Sequence, residues 1–279
     1  MAGHGTGGRW ELAVRAPAEP LRGCVVGDYV GYSEWSHGPS RRRELPGPFV
    51  VVAIEFGPPL RVLPAGDARL GVAHRGGFVG GLDERHAICE HDGFQQGIQV
   101  TLAPIGARLL FGVPMSELAR RVVPLRDVLP RRHRDLAARL QDLPDWDARF
   151  DLLDSVILDA VRCARVETSV VAWAVRRIEE TGGSIEMRAL ARELGYSPKH
   201  VIALFRDQVG IPPKLLARIT RFDRLMRHLR RGTGGPWADL ALQFGYYDQA
   251  HLVREVREFA GVTPTEVRSD AAESPALLA

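Results

Sequence analysis

Cysteine is scarce in this chain of 279 residues: Cys24, Cys89 and Cys163 are odd in number, far apart, and form no Cys-x-x-Cys pair. A disulfide scaffold and a four-cysteine zinc module are thereby excluded. Long apolar runs are missing as well. The stretch from Phe49 to Ile54, bounded by Pro48 and Glu55, falls far short of the ~18 to 20 uncharged apolar residues that a bilayer crossing needs, and reads as a buried strand. The Gly-rich start through Trp10 has neither the basic opening nor the apolar core of a secretory signal, so a soluble cytoplasmic protein without a membrane partner is expected. Lysine is almost absent, with only Lys199 and Lys214 among 37 basic residues, a bias that genome base composition explains as readily as function.

What is present is ordinary globular material. With 45% apolar and 25% charged residues, disorder and collagen-like repeats are excluded, and the length suits about two domains. Charge is unevenly spread. From Val171 to Arg268 there are 16 Lys plus Arg against 11 Asp plus Glu, a net of +5, which leaves −2 for the rest of a chain whose total is +3. A basic C-terminal part that meets polyanions, joined to a near-neutral part with another task, fits this split.

From about Trp10 to Val123 short apolar runs (Cys24 to Val26, Phe49 to Ile54, Ile98 to Leu102) alternate with turn signals. The latter include Gly57-Pro58-Pro59, Pro64-Ala65-Gly66-Asp67, Gly76-Gly77 and Asp92-Gly93. Such spacing predicts a β-sandwich or barrel, with short helices at Ala107 to Phe111 and Ser116 to Arg121. Past Leu125 the periodicity is helical: Leu136, Leu140 and Leu143, then Phe150, Leu153, Ile157, Ala160 and Val161 after the Pro144-Asp145 break, predict a pair of packing helices. Val171, Val175 and Ile178 mark another, ended by Gly182-Gly183.

The C-terminal part repeats itself. Leu190-Ala191, Leu194-Gly195-Tyr196, Val201, Phe205-Arg206, Gly210-Ile211 and Pro213 are answered by Leu240-Ala241, Phe244-Gly245-Tyr246, Leu252, Val256-Arg257, Gly261-Val262 and Pro264. The offset is 50 from Leu190 to Leu240 and 51 from Val201 to Leu252, so the second copy has one extra turn residue, around Tyr247. Each copy reads as helix, tight turn, helix. In the first, Ser184 is expected to cap a helix that buries Ile185, Leu190 and Leu194, and Gly195 supplies positive φ at its end. Ser197 then caps the following helix, with Pro198 at its first position; Asp248 does the same in the second copy. Between the copies Leu215, Leu216, Ile219, Phe222, Leu225, Met226 and Leu229 predict one long helix. Arg218, Arg221, Arg224 and Arg227 lie off its apolar stripe, as a solvated face or, for one or two, as phosphate contacts.

On these motifs, about Val171 to Arg268 resembles the AraC/XylS family of bacterial transcription regulators: two helix-turn-helix units, each closed by Gly-x-x-Pro, with Arg221 matching an arginine that the family places on its linking helix. Leu216 and Val267 stand where that family often has tyrosine, and Leu225 where it commonly has alanine. The resemblance implies an α+β chain: residues 1–125 a β-rich, cupin-like effector-binding domain, 126–166 a helical connector and candidate dimerisation segment, 167–268 an all-α DNA-binding domain, 269–279 a tail. The segment Gly97 to Leu118 also resembles regulators of this type. It implies that each recognition helix enters one of two adjacent major grooves of double-stranded DNA. An unidentified small-molecule effector, RNA polymerase and a second copy in a homodimer are the expected partners, activation the expected outcome, and catalysis and cofactors are not expected.

The positions matching the family's base readers are Lys199, His200, Ile202 and Ala203 in the first unit, and Gln249, Ala250, His251 and Arg254 in the second. Lys199 can reach guanine or a phosphate, while Ile202 and Ala203 offer only apolar contact. Gln249 suits adenine and Arg254 guanine, so the second helix is expected to specify sequence more strongly. Gln249 also reads as a solvated first-turn residue, and Arg254 as an ion-pair partner of Glu255 or Glu258. Backbone contacts are expected from Ser197, Arg206, Arg218, Arg221, Asp248 and Arg257.

Two alternatives involve catalysis. An Ada-type alkylation-repair protein carries a similar module but needs four zinc-ligating cysteines or a Pro-Cys-His-Arg setting, neither of which occurs here. A metal-dependent cupin enzyme would rest on His86, Cys89 and His91, with His74 nearby; on a strand, 89 and 91 share a face and 86 points away, so metal is not expected. Tyr29, Tyr32 and Trp35 read as core packing in preference to pocket walls.

Overall fold

The computed structural model describes residues 2–5, 8–64, 71–232 and 234–273. The turn expected at Pro64-Ala65-Gly66-Asp67 lies outside them after Pro64, as does the tail from 274. The chain is α+β, with antiparallel sheets first and helices after. Its strands are β1 (Ala2–Gly5), β2 (Gly8–Arg15), β3 (Tyr29–Ser36), β4 (Ser40–Glu44), β5 (Val50–Glu55), β6 (Leu60–Pro64), β7 (Val72–His74), β8 (Phe78–Gly80), β9 (Ala87–His91), β10 (Phe94–Leu102) and β11 (Val122–Pro124). One sheet has the order β1-β2-β3-β10-β5-β8-β11, and the other β4-β9-β6-β7.

The two sheets face each other, for Ala53 and Phe78 of the larger pack against Leu60, Val62 and Cys89 of the smaller. Strand β5 is nearly apolar throughout because it is covered twice: Ala53 meets the second sheet, while Val52 and Ile54 face the helices that follow. Those helices are α1 (Pro104–Phe111), α2 (Leu125–Val128), α3 (Leu136–Gln141) and α4 (Trp146–Cys163). Asp145 caps α4, accepting the Ala148 N–H at 2.8 Å.

Two expectations are corrected in this region. Cys24 to Val26 is no strand; Val25 makes only an isolated bridge to Leu102, because the chain there turns back over α1, with Gly106 so close to the Cys24 carbonyl that a Cβ would lie 2.3 Å from it. The helix expected at Ser116 to Arg121 is a single 3-10 turn, Met115–Glu117. The connector, too, is more than a helix pair. Helix α4 lies on the large sheet, where Phe150 stacks on Tyr29 at 5.8 Å and Trp146 covers Gly31. Asp154 accepts the Tyr29 hydroxyl at 2.8 Å and Arg15 at 3.0 Å. Phe150 is 1% exposed, so Phe150→Ala should cost about 3 to 5 kcal/mol.

The C-terminal helices are α5 (Ser169–Glu180), α6 (Met187–Leu194), α7 (Pro198–Gln208), α8 (Pro213–Arg230), α9 (Trp237–Gln243), α10 (Gln249–Ala260) and α11 (Pro264–Glu273). Helix α8 is the long linker: Leu216, Ile219, Phe222, Leu225, Met226 and Leu229 are buried on it as their spacing predicts. No helix of the described residues is long and apolar enough to cross a membrane.

Candidate nucleic-acid interface

The two helix-turn-helix units, α6 with α7 and α9 with α10, are built by the same backbone chemistry. Gly195 at φ 70° and Gly245 at φ 77° turn the chain, and the N–H of the following tyrosine returns to the helix, Tyr196 to the Ala191 carbonyl at 3.1 Å and Tyr246 to that of Ala241 at 2.8 Å. Ser197 Oγ then accepts the His200 N–H at 3.3 Å, and Asp248 Oδ1 that of His251 at 2.6 Å. Ser184 does not cap α6; its hydroxyl donates to the Thr181 carbonyl, and Glu186 occupies the cap position.

The inner faces are apolar, with Val201 and Phe205 on α7 and Leu252 and Val256 on α10, all 3% exposed or less. Outward on α7 lie Lys199, His200, Ile202, Ala203 and Arg206; His200 rests on the Tyr196 ring at 4.7 Å. Outward on α10 lie Gln249, Ala250, Arg254 and Arg257. Arg254 has no ion-pair partner among the described residues, and the pairing with Glu255 or Glu258 is not formed. His251 is turned inward: its Nδ1 accepts the Tyr247 N–H at 3.2 Å, its Nε2 lies 3.9 Å from Glu255, and its ring meets Tyr246. That geometry leaves His251 little to offer a base edge.

Of the residues expected on phosphate, four have other tasks. Ser197 and Asp248 cap their helices, and the Asp248 carboxylate would repel a phosphate. Arg218 and Arg221 do not form a solvated face. Both clamp Glu255, which is 2% exposed: Arg218 Nε at 2.8 Å, and Arg221 through Nη2 to both carboxylate oxygens at 3.1 Å. Arg221 also lies over the Tyr246 ring, and Arg218 over that of Phe259. A carboxylate so buried survives only with full pairing, so this triad holds α10 on α8. Its signal in the sequence is the Arg218/Arg221 spacing of three, which places both on one side of α8. Arg206 and Arg257 stay exposed, in the last turns of their helices.

The ends of both recognition helices rest on the β-rich part. Asp207 of α7 lies 3.6 Å from Arg108 of α1, and a Cβ on Gly210 would fall 2.6 Å from the Met115 carbonyl. At the equivalent place after α10, the His86 N–H donates to the Phe259 carbonyl at 2.9 Å, and a Cβ on Gly261 would fall 2.3 Å from the His86 ring. Both glycines have positive φ, +93° and +73°. The glycine that closes each repeat is therefore a seat for the first part of the chain, a role the repeat alone does not reveal.

The candidate metal residues are dispersed. His86 packs on Gly261, His74 on Phe78, and Cys89 and His91 share the inner face of β9; no group of three potential ligands occurs among the described residues. Burial raises the Cys24 thiol above its usual range and pushes that of Cys89 up to about 12, so neither is an activated thiolate.

The family model described as "Helix-turn-helix domain" matches residues 190–270. Residues 190–270 are thus an AraC-type helix-turn-helix domain, a DNA-binding fold. Comparison with curated proteins yields no match. Among solved structures, ToxT from Vibrio cholerae O395 bound to (E)-4-(8-methylnaphthalen-1-yl)but-3-enoic acid is similar at a TM-score of 0.50 and 8% identity, over 84% of this chain and 99% of that one. Another ToxT structure from that strain (TM-score 0.48, 9% identity, 85% and 98% covered) and the AraC-like transcriptional activator CuxR (0.32, 14%, 79% and 81%) are similar at lower TM-scores. At 8% identity the likeness to ToxT is one of fold.

Proposed function

We propose that this chain is a sequence-specific transcription regulator that activates its target, with α7 and α10 in adjacent major grooves and the β-rich part as the sensor of a small molecule. The observation that carries the reading is the pairing of two equally built recognition helices whose first turns are exposed and whose last turns are seated on the β-rich part. A ligand that shifts that part moves both seats, Gly210 and Gly261, and with them the spacing of α7 and α10. That the ToxT structure holds a carboxylic acid supports a ligand-controlled reading.

Lys199, Gln249 and Arg254 are the polar readers of this proposal, Ile202, Ala203 and Ala250 the apolar ones, and Arg206 and Arg257 the backbone contacts. Binding of the full chain to a mapped genomic site at two salt concentrations tests it: a steep loss of affinity with salt and a strong preference over scrambled DNA are expected. Salt-independent or sequence-blind binding overturns it. In vitro transcription reports activation and a contact with RNA polymerase; sedimentation reports a homodimer.

A further inference from the structure

The space between the two sheets has an apolar end and a polar end. Ala53, Leu60, Val62, Phe78 and Cys89 fill the first. The second is walled by Tyr32 and Glu34 of β3, Arg42 of β4, Glu55 of β5, His91 of β9 and Gln95 of β10. Strand register puts them together: Gly97 stands opposite both Tyr32 and Glu55, and Gln95 opposite Glu34. Lacking a side chain, Gly97 leaves room for the Tyr32 phenol, which donates to Glu55 Oε1. Gln95 Nε2 donates to Glu34 Oε2 at 2.5 Å, Arg42 lies 2.7 Å from Glu44 and 3.9 Å from Glu34, and His91 Nε2 lies 3.7 Å from Glu34. A small cleft lined by Trp10, Leu12, Tyr32, Glu34, Arg42 and Gln95 opens onto part of this wall; Glu55 and His91 do not line it and adjoin it through Tyr32 and Glu34.

Three atoms of the wall have no hydrogen-bond partner: Glu55 Oε2, Gln95 Oε1 and His91 Nδ1. Their side chains are 2%, 2% and 7% exposed. Buried polar atoms without partners are rare, and two of these three accept only. The charges agree with the orphaned acceptors. Among the described residues Glu34, Glu55 and the partly solvated Glu44 share the guanidinium of Arg42, so Glu55 has no countercharge of its own. Acceptors, surplus negative charge and the indole of Trp10 at the rim are the chemistry that holds a cation with N–H donors, and they repel carboxylates and phosphates.

We propose that this polar end of the β-rich part is the effector site, and that it takes a small organic cation bearing N–H donors, a primary amine or a guanidine, seated against Glu34 and Glu55. The proposal rests on the reading of the β-rich part as a sensor. It differs in sign of charge from the acid seen in the ToxT structure. Burial pushes the Glu55 carboxyl up to about 7, opposed by the Tyr32 hydrogen bond and by Arg42. Glu55 is faced by Tyr32 from β3, Arg42 from β4 and Cys89 from β9; burial keeps the phenol and thiol neutral, and Glu34 stays ionised beside His91, Gln95 and Arg42. A bound cation favours the ionised form of Glu55, so protons compete with the ligand below about pH 7.

The test titrates the full chain by calorimetry with n-butylammonium, methylguanidinium, butane-1,4-diol and butyrate at about pH 6 and about pH 8, at constant ionic strength. Saturable binding of the two cations is expected, about tenfold tighter at the higher pH. The diol should bind far more weakly and butyrate not at all. Glu55→Gln should remove the pH dependence and Glu34→Gln the binding; the wild-type panel decides should either variant fail to fold. Butyrate binding as tightly as the cations, or cation affinity unchanged in both folded variants, overturns the site. The same samples are titrated with DNA, which separates the two readings: DNA affinity without cation binding overturns the site alone, and cation binding without DNA affinity supports the site while overturning the regulator.

Discussion

Laid over one another at the offset of 51, α7 carries Leu204 and Asp207 where α10 carries Glu255 and Glu258. The substitutions redirect each helix to a different neighbour. Glu255 and Glu258 both pair with arginines of α8, so α10 is bolted to the linker inside the DNA-binding part. Asp207 pairs instead with Arg108 of α1, and Gln208 donates to the Glu167 carbonyl at 3.0 Å, so α7 is tied to the β-rich part and to the segment before α5. One backbone plan thus supplies two helices seated on the β-rich part, of which α10 is also clamped to the linker and α7 is not. The outward faces differ in degree, with Gln249 and Arg254 beside Ala250 on the clamped helix, and Lys199 beside Ile202 and Ala203 on the other.

The largest effect is expected at Glu255. Removing it strands Arg221 and leaves Arg218 only Glu258, so Glu255→Ala should destabilise the chain by about 3 kcal/mol in urea unfolding, whereas Leu204→Ala, on a half-buried site, should cost less. A loss below about 1 kcal/mol for Glu255→Ala would remove the triad from the account of how α10 is held.

Next come the two seats. Gly210→Ala and Gly261→Ala place a side chain at positive φ and against neighbouring atoms, at a cost of about 1 to 3 kcal/mol each. Both should speed proteolysis of the loops joining the two parts, and Gly210→Ala should alter DNA affinity more, because α7 lacks the Glu255 clamp. Equal effects on DNA binding would erase the distinction between the clamped and the unclamped helix.

Base reading should be as unequal as the faces. Arg254→Ala is expected to cost about 1 to 3 kcal/mol on the best site and to relax preference at one base pair, while Ala203→Ser changes specificity little. Binding to all single-base variants of a mapped site measures this, and a uniform loss for Arg254→Ala would reassign that side chain to the DNA backbone.

The smallest effect on stability is expected from Arg108→Met. Its pair with Asp207 is long and half open to water, while Nε and Nη1 of Arg108 are buried without partners, so the change should stay within about 1 kcal/mol. Its readout is the coupling: a ligand response in DNA binding that is as strong as in the wild type would take Arg108 out of the path between sensor and α7.

The local plan of the C-terminal part was legible in the sequence because it is made of short-range chemistry. Glycine at a left-handed turn, serine or aspartate at a cap, proline at a first helical position and an apolar spacing of three or four each act within a few residues. Ser197, Gly195, Asp248 and the stripe from Leu215 to Leu229 therefore read correctly, and so did the strand-rich character before Leu125. Where the partner is far along the chain, spacing is silent. It could not tell that Arg221 faces Glu255, 34 residues on, that Gly261 is a seat for His86, or that Tyr32, Glu34, Glu55 and Gln95 gather at one end of the sheets. Long-range pairing, sheet register and the close approach of two parts of the chain decided those, since a buried charge or a missing Cβ acquires its meaning only from what the fold brings against it.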